Sequence, residues 1–435
     1  MLLFILAATA AATAAAPDHT RYRFAEMWVG GDLTLNVPTG QHMLPALGGP
    51  DLSPAFFSSA HTDAGGIPPT LGPRVGIGAL HFWGHADLYI LIPTVDVRLG
   101  ALPEGVSGGG LRPGVETGAK VYPLAVEDGV VRPYVGIAWQ PLSFSQATTA
   151  DGAGPTVSIH RARALLGGAY RTDNHVVELG LGWVPQVTMD YATSPTHVAA
   201  MDQQLWSVHV GYKFLFDTTA SLEADDAEGR TQQRLDRLTE RKARSGVELA
   251  AGPSSAFTLG PTSFQDGDPQ AFLGNRPNGT LMPDVAVGGY FHRPELVLRL
   301  SWRPISQRTV GYGAERQWSR QSASIDVFRF LTDVHGFVPF VGLGGGVESL
   351  RFEESVEGRT VRGHTQQGLA ASLVVGWDIR PSEAQSWLLR TNLRYTPGLA
   401  IDLESVGDHV DFQHLEVNFI QFVWYPQRTA AFARD

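Results

Sequence analysis

Hydrophobic and polar side chains alternate with a period of two along most of this chain. In the stretch 206–216, Trp206, Val208 and Val210 share one face, whereas Ser207 and His209 share the other. Alternation over nine or more residues predicts a β-strand, and that length is enough for a tilted strand to cross a bilayer. The predicted strands lie near 26–38, 74–82, 86–94, 112–123, 131–143, 160–171, 175–190, 203–216, 246–259, 284–292, 295–304, 321–330, 337–350, 366–379, 385–397 and 412–425.

The second half of the chain repeats the first. The segment Val131-Arg-Pro-Tyr-Val-Gly-Ile reappears as Val338-Pro-Phe-Val-Gly-Leu, and Trp183-Val-Pro reappears as Tyr395-Thr-Pro. The matches keep their order and a nearly constant spacing, which is typical of an internal duplication. The sequence therefore predicts an all-β fold with two homologous units of eight strands each, 17–216 and 246–435.

The connections between the predicted strands of the first unit alternate in length. Loops 39–73 and 95–111 are long, whereas the turns near 83–86 and 127–129 are short. Outer-membrane barrels have short periplasmic turns and long outer loops in the same alternation. The segment 217–245 between the units is highly charged, with acidic residues first and basic residues last, which suits the dipole of a helix. We expect it to be a solvated helical linker.

Charged residues lie on the face of several strands that is not apolar. Because both signs occur there, they can pair inside a barrel, and the apolar face then points outward. Aromatic residues near strand ends, such as Trp139, Trp183, Trp377 and Tyr395, match the interfacial girdles of membrane barrels. The candidates for a charged barrel interior are Glu116, Lys120, Arg132, Arg161, Arg163, Glu178, Arg299, Arg303, Asp326, Asp378, Arg390 and Arg394.

Composition and charge narrow the class of protein further. The net charge is −10 and no dense basic patch occurs, so nothing indicates a nucleic-acid partner. Residues 1–16 combine a short apolar core with a run of alanine and threonine, which predicts a secretory signal peptide. The chain has no cysteine, so something other than disulfides must stabilise the exported protein, and a closed hydrogen-bonded sheet is one answer. After residue 16 no apolar run is long enough for a membrane helix, so any membrane span must be a strand.

At this point the chain resembles the small outer-membrane β-barrel proteins of Gram-negative bacteria, the OmpA, OmpX and OmpW type. The resemblance rests on strands 120–124 and 132–137 and on Val208-His-Val-Gly-Tyr-Lys-Phe-Leu-Phe, which is similar to the family's C-terminal insertion signal. In this chain that signal lies in the middle, and the C-terminal segment departs from it. The resemblance implies an outer-membrane location, contact with outer-membrane lipid and lipopolysaccharide, and insertion by the barrel-insertion machinery.

The number of barrels stays open at this level. Sixteen transmembrane antiparallel strands could close as two narrow up-and-down barrels with filled interiors or as one wide barrel around an aqueous pore. Two barrels are favoured because each half carries a complete set of eight strands. The first function hypothesis is a non-enzymatic surface or structural barrel, or a passive pore for small solutes. The alternatives are a soluble periplasmic barrel that binds lipid or another ligand and, less favoured, a lipid-modifying hydrolase.

Few residues suggest catalysis or metal binding. His81 and His85 flank a turn, and Asp408, His409, Asp411 and His414 cluster near a strand start, but exposed or structural histidines are the simpler interpretation in both places. Ser207 and His209 share a polar face, as a nucleophile and base could, yet this spacing is routine in a strand. The sequence therefore predicts no cofactor, no metal and no catalytic residues, and it leaves the oligomeric state undetermined.

Overall fold

The fold is described from a computed structural model. It describes residues 26–39, 68–100, 108–149, 152–194, 197–217, 227–259, 262–263, 273, 281–333, 336–380, 382–403 and 408–432. The predicted signal peptide and most of loops 39–73 and 260–280 lie outside these residues. Two antiparallel β rings, each of eight strands, account for nearly all of the described structure.

Barrel 1 is the ring formed by the first half of the chain. Its strands, with three short accessory strands (β4, β5 and β8), are β1 (Glu26–Thr39), β2 (Thr70–His81), β3 (Ala86–Pro93), β4 (Val97–Arg98), β5 (Gly108–Pro113), β6 (Glu116–Val121), β7 (Val131–Thr149), β8 (Gly152–Ala153), β9 (Thr156–Thr172), β10 (His175–Ser194) and β11 (His197–Asp217). The ring closes because β1 pairs with β11 on one side and with β2 on the other. All the ladder pairings between these strands are antiparallel, as in an up-and-down barrel.

Barrel 2 is the ring formed by the second half. Its elements, with three short accessory strands (β13, β20 and β21), are β12 (Gly246–Thr258), β13 (Thr262–Ser263), β14 (Leu281–Phe291), β15 (Leu296–Gly311), β16 (Ala314–Phe330), β17 (Phe337–Val356), β18 (Arg359–Ile379), β19 (Trp387–Thr396), β20 (Ala400–Leu403), β21 (Asp408–Asp411) and β22 (His414–Trp424). Strand β12 pairs with both β14 and β22 and closes the barrel. The all-β prediction with two eight-strand units is confirmed, and the single sixteen-stranded barrel does not form.

The side-chain pattern follows the predicted alternation. In β11, Trp206, Val208 and Val210 are 45%, 39% and 52% exposed on the outside of barrel 1, whereas Ser207 and His209 are buried inside it. A strand places successive side chains on opposite faces, so closing the ring puts every second residue in the interior. Both barrels therefore have an apolar exterior and a polar interior.

Several strands are longer than predicted. The barrel end at which β11 ends and β12 begins is called the linker end, and the other is the far end. Strands β17 and β18 pair up to Val356 and Arg359 at the far end, where the prediction stopped at 350 and 366. In barrel 1, β7 and β9 likewise extend into 147–157, and β10 and β11 extend into 191–202, so most of these two stretches between the predicted strands is β-strand. On the extensions of β16 and β17 the outer face carries polar residues such as Gln317, Arg351 and Glu353, so the apolar outer face that marks the predicted strands ends before them.

Two turns at the far end of barrel 2 have only two residues each. Tyr312-Gly313 and Glu357-Gly358 all adopt positive φ angles, between 47° and 76°. Two-residue turns of this kind match the twist of the strands they join, and glycine reaches positive φ without steric cost. These turns let β15–β16 and β17–β18 continue as long hairpins beyond the rest of the barrel.

The two barrels contact each other through their outer surfaces, both near the linker end and toward the far end, where the Trp139 and Phe257 ring centroids lie 4.3 Å apart. Phe82 of barrel 1 lies with its ring centroid 5.1 Å from that of Phe337, and Leu88 packs in the same buried cluster with Trp377 and Ile379. Trp377 is only 5% exposed, so it does not lie in an exposed aromatic girdle as predicted. Its ring fills the contact between the barrels instead.

Two helices lie at the linker end. Helix α1 (Ala227–Glu240) occupies the predicted linker, and helix α2 (Pro426–Phe432) follows the last strand. Leu238 and Ala243 pack against Ala384 and Ala431, which attaches the linker to barrel 2. In the described part of the chain no helix has the length and hydrophobicity needed to span a bilayer.

Candidate functional site in the barrel interiors

One half of the barrel 1 interior is filled by a buried ionic network around Glu116. Arg74 Nη1 lies 2.8 Å from a Glu116 carboxylate oxygen, and Arg163 Nη1 lies 2.5 Å from the same oxygen. The Tyr89 hydroxyl donates to the other oxygen at 2.9 Å. On its other side, Arg74 donates two hydrogen bonds to Asp32, at 2.5 and 2.6 Å. Each carboxylate thus contacts at least one guanidinium, as a buried charge requires.

A second network fills the remaining interior of barrel 1. Glu178 accepts hydrogen bonds from Lys120 and Lys213, each at 2.5 Å. Lys213 also contacts Asp87 at 2.5 Å, and the Trp28 indole nitrogen donates to Asp87 at 2.8 Å. These residues come from strands far apart in sequence that meet across the ring.

Barrel 2 has a similar layer near its linker end. Arg390 contacts Glu248 at 2.7 Å and Asp378 at 2.7 Å, and both carboxylates are buried. Arg380 lies 3.2 Å from Asp378. The Arg390 guanidinium also lies 5.5 Å from the centre of the Phe340 ring, a cation–π contact. Aromatic rings and ion pairs together fill this level of the barrel.

The middle of barrel 2 is filled around Asp326. Arg394 donates to both oxygens of Asp326, at 2.9 and 2.7 Å, and Arg299 lies 3.4 Å from one of them. Arg303 lies 3.8 Å from Asp326 and 3.0 Å from Glu416. A carboxylate that contacts three guanidiniums is a rigid junction between strands, because each guanidinium offers donors in a fixed plane.

The far end of the barrel 2 interior is closed by an apolar layer. Trp318 and Phe352 face the interior, with ring centroids 4.4 Å apart. Phe412, from the connection between β19 and β22, packs on Trp318 at 5.8 Å, and Val410 is fully buried beside it. Barrel 2 is therefore closed by apolar contacts at one end and by ion pairs below them.

The buried charges nearly balance within each barrel. In the described part of barrel 1, four carboxylates (Asp32, Asp87, Glu116 and Glu178) face four cations (Arg74, Lys120, Arg163 and Lys213) within the two networks. Because the buried charges of opposite sign are paired, the interior has little net electric field that could select ions of one sign. Its first consequence is structural, since it ties neighbouring and opposite strands together.

The predicted interior residues fall into two groups. Ten are buried in the interiors: Glu116, Lys120, Arg163, Glu178, Arg299, Arg303, Asp326, Asp378, Arg390 and Arg394. Arg132 instead pairs with Glu127 at a turn, where the Glu127 side chain is 64% exposed, and Arg161 is only partly buried. Asp32, Asp87 and Glu248 belong to the networks but were not predicted. They lie at polar positions of the same alternation, which was the available signal.

The histidine and serine candidates do not form a catalytic arrangement. The Ser207 hydroxyl donates to the Gly182 carbonyl at 3.3 Å, whereas His209 Nε2 lies 2.9 Å from the Tyr134 hydroxyl. Neither hydrogen bond joins Ser207 to His209, as a nucleophile and its base would require. Among the residues the structure describes, no group of three or more histidines and carboxylates could hold a metal ion, and the side chains of Asp408 and His409 lie outside them.

His414, from the same predicted cluster, is instead part of the barrel 2 interior. It contacts Arg320 and lies 3.1 Å from Glu416. Its Nδ1 also lies 2.7 Å from the backbone carbonyl of Phe412. These contacts tie the layer that closes the far end to the ionic layer beneath it.

The chain is a tandem of two eight-stranded antiparallel barrels. The predicted resemblance to small outer-membrane barrels is thereby confirmed at the level of architecture. No protein-family model matches the sequence, and no curated protein matches it. Among solved structures, the chain is similar to the attachment invasion locus protein Ail of Yersinia pestis in complex with the heparin analogue sucrose octasulfate, with 10% identity and a TM-score of 0.26 over 42% of this chain and 96% of that one.

Two further structures are similar at comparable distance. Another structure of Ail from Yersinia pestis gives 11% identity and a TM-score of 0.25, with the same coverage of 42% and 96%. The toluene transporter TodX of P. putida gives 8% identity and a TM-score of 0.14, over 96% of this chain and 92% of that one. Similarities this distant assign no ligand and no activity.

Proposed function

We propose that this chain is an outer-membrane protein in which both barrels cross the bilayer. The observation that carries the proposal is the inverted polarity of the barrels. Leu300, Ile325 and Leu343 are 55%, 57% and 67% exposed on the outside of barrel 2, while arginines and carboxylates are buried inside it. A soluble barrel would expose this apolar belt to water, whereas lipid covers it without cost. The same argument disfavours a soluble lipid-binding barrel, whose apolar face would line the cavity.

The closed interiors favour a structural or surface role over a pore. An ion that crossed barrel 1 would have to separate Lys120 from Glu178 and Arg163 from Glu116, and these pairs are buried and in direct contact. Breaking a buried ion pair costs about 3–5 kcal/mol. We therefore assign the barrels a non-conducting, non-enzymatic function as membrane anchors for the elements at the far end.

The far-end hairpins of barrel 2 are the surface that such an anchor would present. On the outer face of β17, Val347 is the last strongly exposed apolar residue. The strand continues beyond it to Val356 at the turn. That extension spans roughly 30 Å at about 3.3 Å per residue. The exposed Arg308 and Arg351 lie on these hairpins and pair with Glu315 and Glu353. We place this end outside the cell and the two helices in the periplasm, with lipid and lipopolysaccharide around the apolar belt.

Fractionation and bilayer recording together test the proposal. The full chain should need detergent for extraction from the outer membrane, and added protease should cut the far-end hairpins in intact cells. In a planar bilayer it should give no steady ionic current, with a known porin as the positive control. Recovery in the soluble fraction would favour the ligand-binding barrel, and a steady current that scales with voltage would show a pore. Ester or amide hydrolysis lost on Ser207→Ala would show the enzyme.

A further inference from the structure

A cleft opens at the linker end of barrel 2. It encloses about 690 Å³, part of which is open to solvent. The interior-facing side chains Tyr290, Phe330 and Val338 line it. Arg244, which precedes the first strand of barrel 2, and Arg428, which follows the last one, line it as well. Aromatic and apolar walls with a few polar groups are typical of small-molecule sites of this volume.

Arg428 is a buried cation in this cleft. It is only 6% exposed, and no carboxylate of the described residues lies within 4 Å of it. Its guanidinium donates to the backbone carbonyls of Glu383 at 3.2 Å, Gln385 at 2.9 Å and Arg244 at 3.2 Å. Burial lowers the pKa of Arg428, as expected for a cation without an anion beside it. Its Nε has no hydrogen-bond partner.

Arg244 lies against the same cleft and reaches a carboxylate only indirectly. Its Nη1 lies 3.2 Å from His292 Nε2, and His292 Nδ1 lies 3.2 Å from Glu295. The hydrogen bonds are satisfied when neutral His292 accepts from Arg244 and donates to Glu295. The Nε of Arg244 is buried and has no partner, as in Arg428.

The carboxylates of the cleft are engaged or lie at its edge. Glu295 accepts hydrogen bonds from the Tyr290 hydroxyl at 3.0 Å and lies 3.4 Å from Arg380. Asp333 accepts a backbone N–H of its own turn at 2.6 Å, and Glu383 is exposed. Two neighbouring guanidinium groups, those of Arg244 and Arg428, therefore line one aromatic-walled space, and neither contacts a carboxylate of the described residues.

We propose that this cleft binds an anionic group, a carboxylate or a phosphate, on a small molecule with an apolar or aromatic body. Arg428 and Arg244 bind the anion through charge-assisted hydrogen bonds, and Tyr290 and Phe330 contact the apolar body. The anion compensates the buried charge of Arg428, whose partners among the described residues are backbone carbonyls and the rings of Tyr425 and Tyr290 but no carboxylate. The site faces the periplasm if the barrels lie in the membrane as proposed, but its chemistry does not depend on that orientation.

Titration calorimetry on the full chain in detergent tests the site with three aromatic probes: phenyl phosphate, benzoate and benzyl alcohol. We expect one or both anions to bind and the neutral alcohol not to bind. Stronger binding of phenyl phosphate than of benzoate would identify phosphate as the preferred group, and the reverse order would identify carboxylate. Arg428→Gln should weaken the binding at least about tenfold, because charge-assisted hydrogen bonds contribute about 1.5–3 kcal/mol.

Lys242→Gln is the matched control, since Lys242 is an exposed cation on the same segment that does not line the cleft. Arg244→Gln keeps the backbone carbonyl that Arg428 uses, so it tests the site even where Arg428→Gln fails to fold. Heat-dependent gel mobility reports folding of each variant. The proposal is overturned when neither anion binds, when the alcohol binds equally well, or when folded Arg244→Gln binds like the unchanged protein.

Discussion

Replacing Glu178 by glutamine should strongly destabilise barrel 1. Glu178 is 2% exposed, and it accepts hydrogen bonds from Lys120 and Lys213 at 2.5 Å and from Tyr122 at 2.8 Å. Lys213 keeps Asp87 after the substitution, but Lys120 loses the only carboxylate that forms a salt bridge with it among the described residues. Leaving one buried cation without its partner costs about 3–5 kcal/mol.

Equilibrium unfolding in urea, in lipid vesicles, measures this cost. Tryptophan fluorescence follows unfolding, and heat-dependent gel mobility reports the closed barrel. A loss of 3–5 kcal/mol lowers the folding equilibrium constant between about 100-fold and several thousand-fold. The second substitution Lys120→Met, added to Glu178→Gln, should recover part of the loss because it removes the unpaired cation.

Glu127→Gln is the matched control for the same chemical change. Glu127 pairs with Arg132, but its side chain is 64% exposed at a turn. An exposed ion pair contributes only about 0–1 kcal/mol, since water solvates the partner that remains. The reasoning about the interior would be wrong if Glu178→Gln and Glu127→Gln changed the unfolding free energy by similar amounts, or if the double variant were less stable than Glu178→Gln.

Three further predictions concern the belt, the far-end hairpins and the division of the chain. Leu300→Arg should lower the unfolding free energy in vesicles by about 2–4 kcal/mol, because it puts a charge in the middle of the apolar belt. Gln321→Arg on the neighbouring strand should lower it by only about 0–1 kcal/mol. Equal losses in urea unfolding would contradict the belt. The hydrogen bond from Arg308 lowers the pKa of Glu315. The ion pair is therefore complete above the ordinary pKa of glutamate and is lost as the pH falls through the lowered value. In Arg308→Ala, an NMR titration should show the pKa of Glu315 return towards its usual value, and an unchanged pKa would refute the pair. Residues 17–216, refolded alone in detergent, should show a heat-dependent mobility shift because barrel 1 closes by its own strands; failure to fold while the full chain folds would show that the halves depend on each other.

The sequence predicts which face of a strand a side chain lies on better than it predicts which residue that side chain pairs with. Alternation placed Glu116, Arg163 and Arg390 in an interior because period two follows from strand geometry alone. The pairs depend on register and on the height of each residue in the barrel, which single-strand patterns do not contain. Lys213 and Asp87 are 126 residues apart and meet only after the ring closes. The arginine-lined cleft was missed for the same reason, since Arg428 and Arg244 belong to opposite ends of the second unit.

The strand ends show a second physical limit. Within the apolar belt the outer face of a strand is apolar, so alternation is strong in β16 at Ile325 and Val327. Beyond the apolar belt the outer face meets water, so polar residues such as Arg351 and Glu353 are allowed there, whereas Phe352 stays buried on the inner face. The backbone hydrogen bonds continue there without a sequence signal, which explains why the predicted strands were too short. The turns Tyr312-Gly313 and Glu357-Gly358 carried a turn signal, since a glycine in the second position is common in two-residue hairpins.

The contact between the barrels is best explained by their covalent connection. Phe82, Leu88 and Phe337 are outward-facing residues that lipid would cover equally well in separate barrels. Because lipid tails are as apolar as these side chains, burying them gives no hydrophobic driving force within a bilayer. What remains is packing and a backbone hydrogen bond from Tyr312 to Ala153 at 2.9 Å. A linker attached to barrel 2 through Leu238 and Ala243 keeps the barrels at a high effective concentration, at which weak packing suffices. Two halves expressed as separate chains should therefore each form a barrel, yet associate far more weakly than they do in the intact protein.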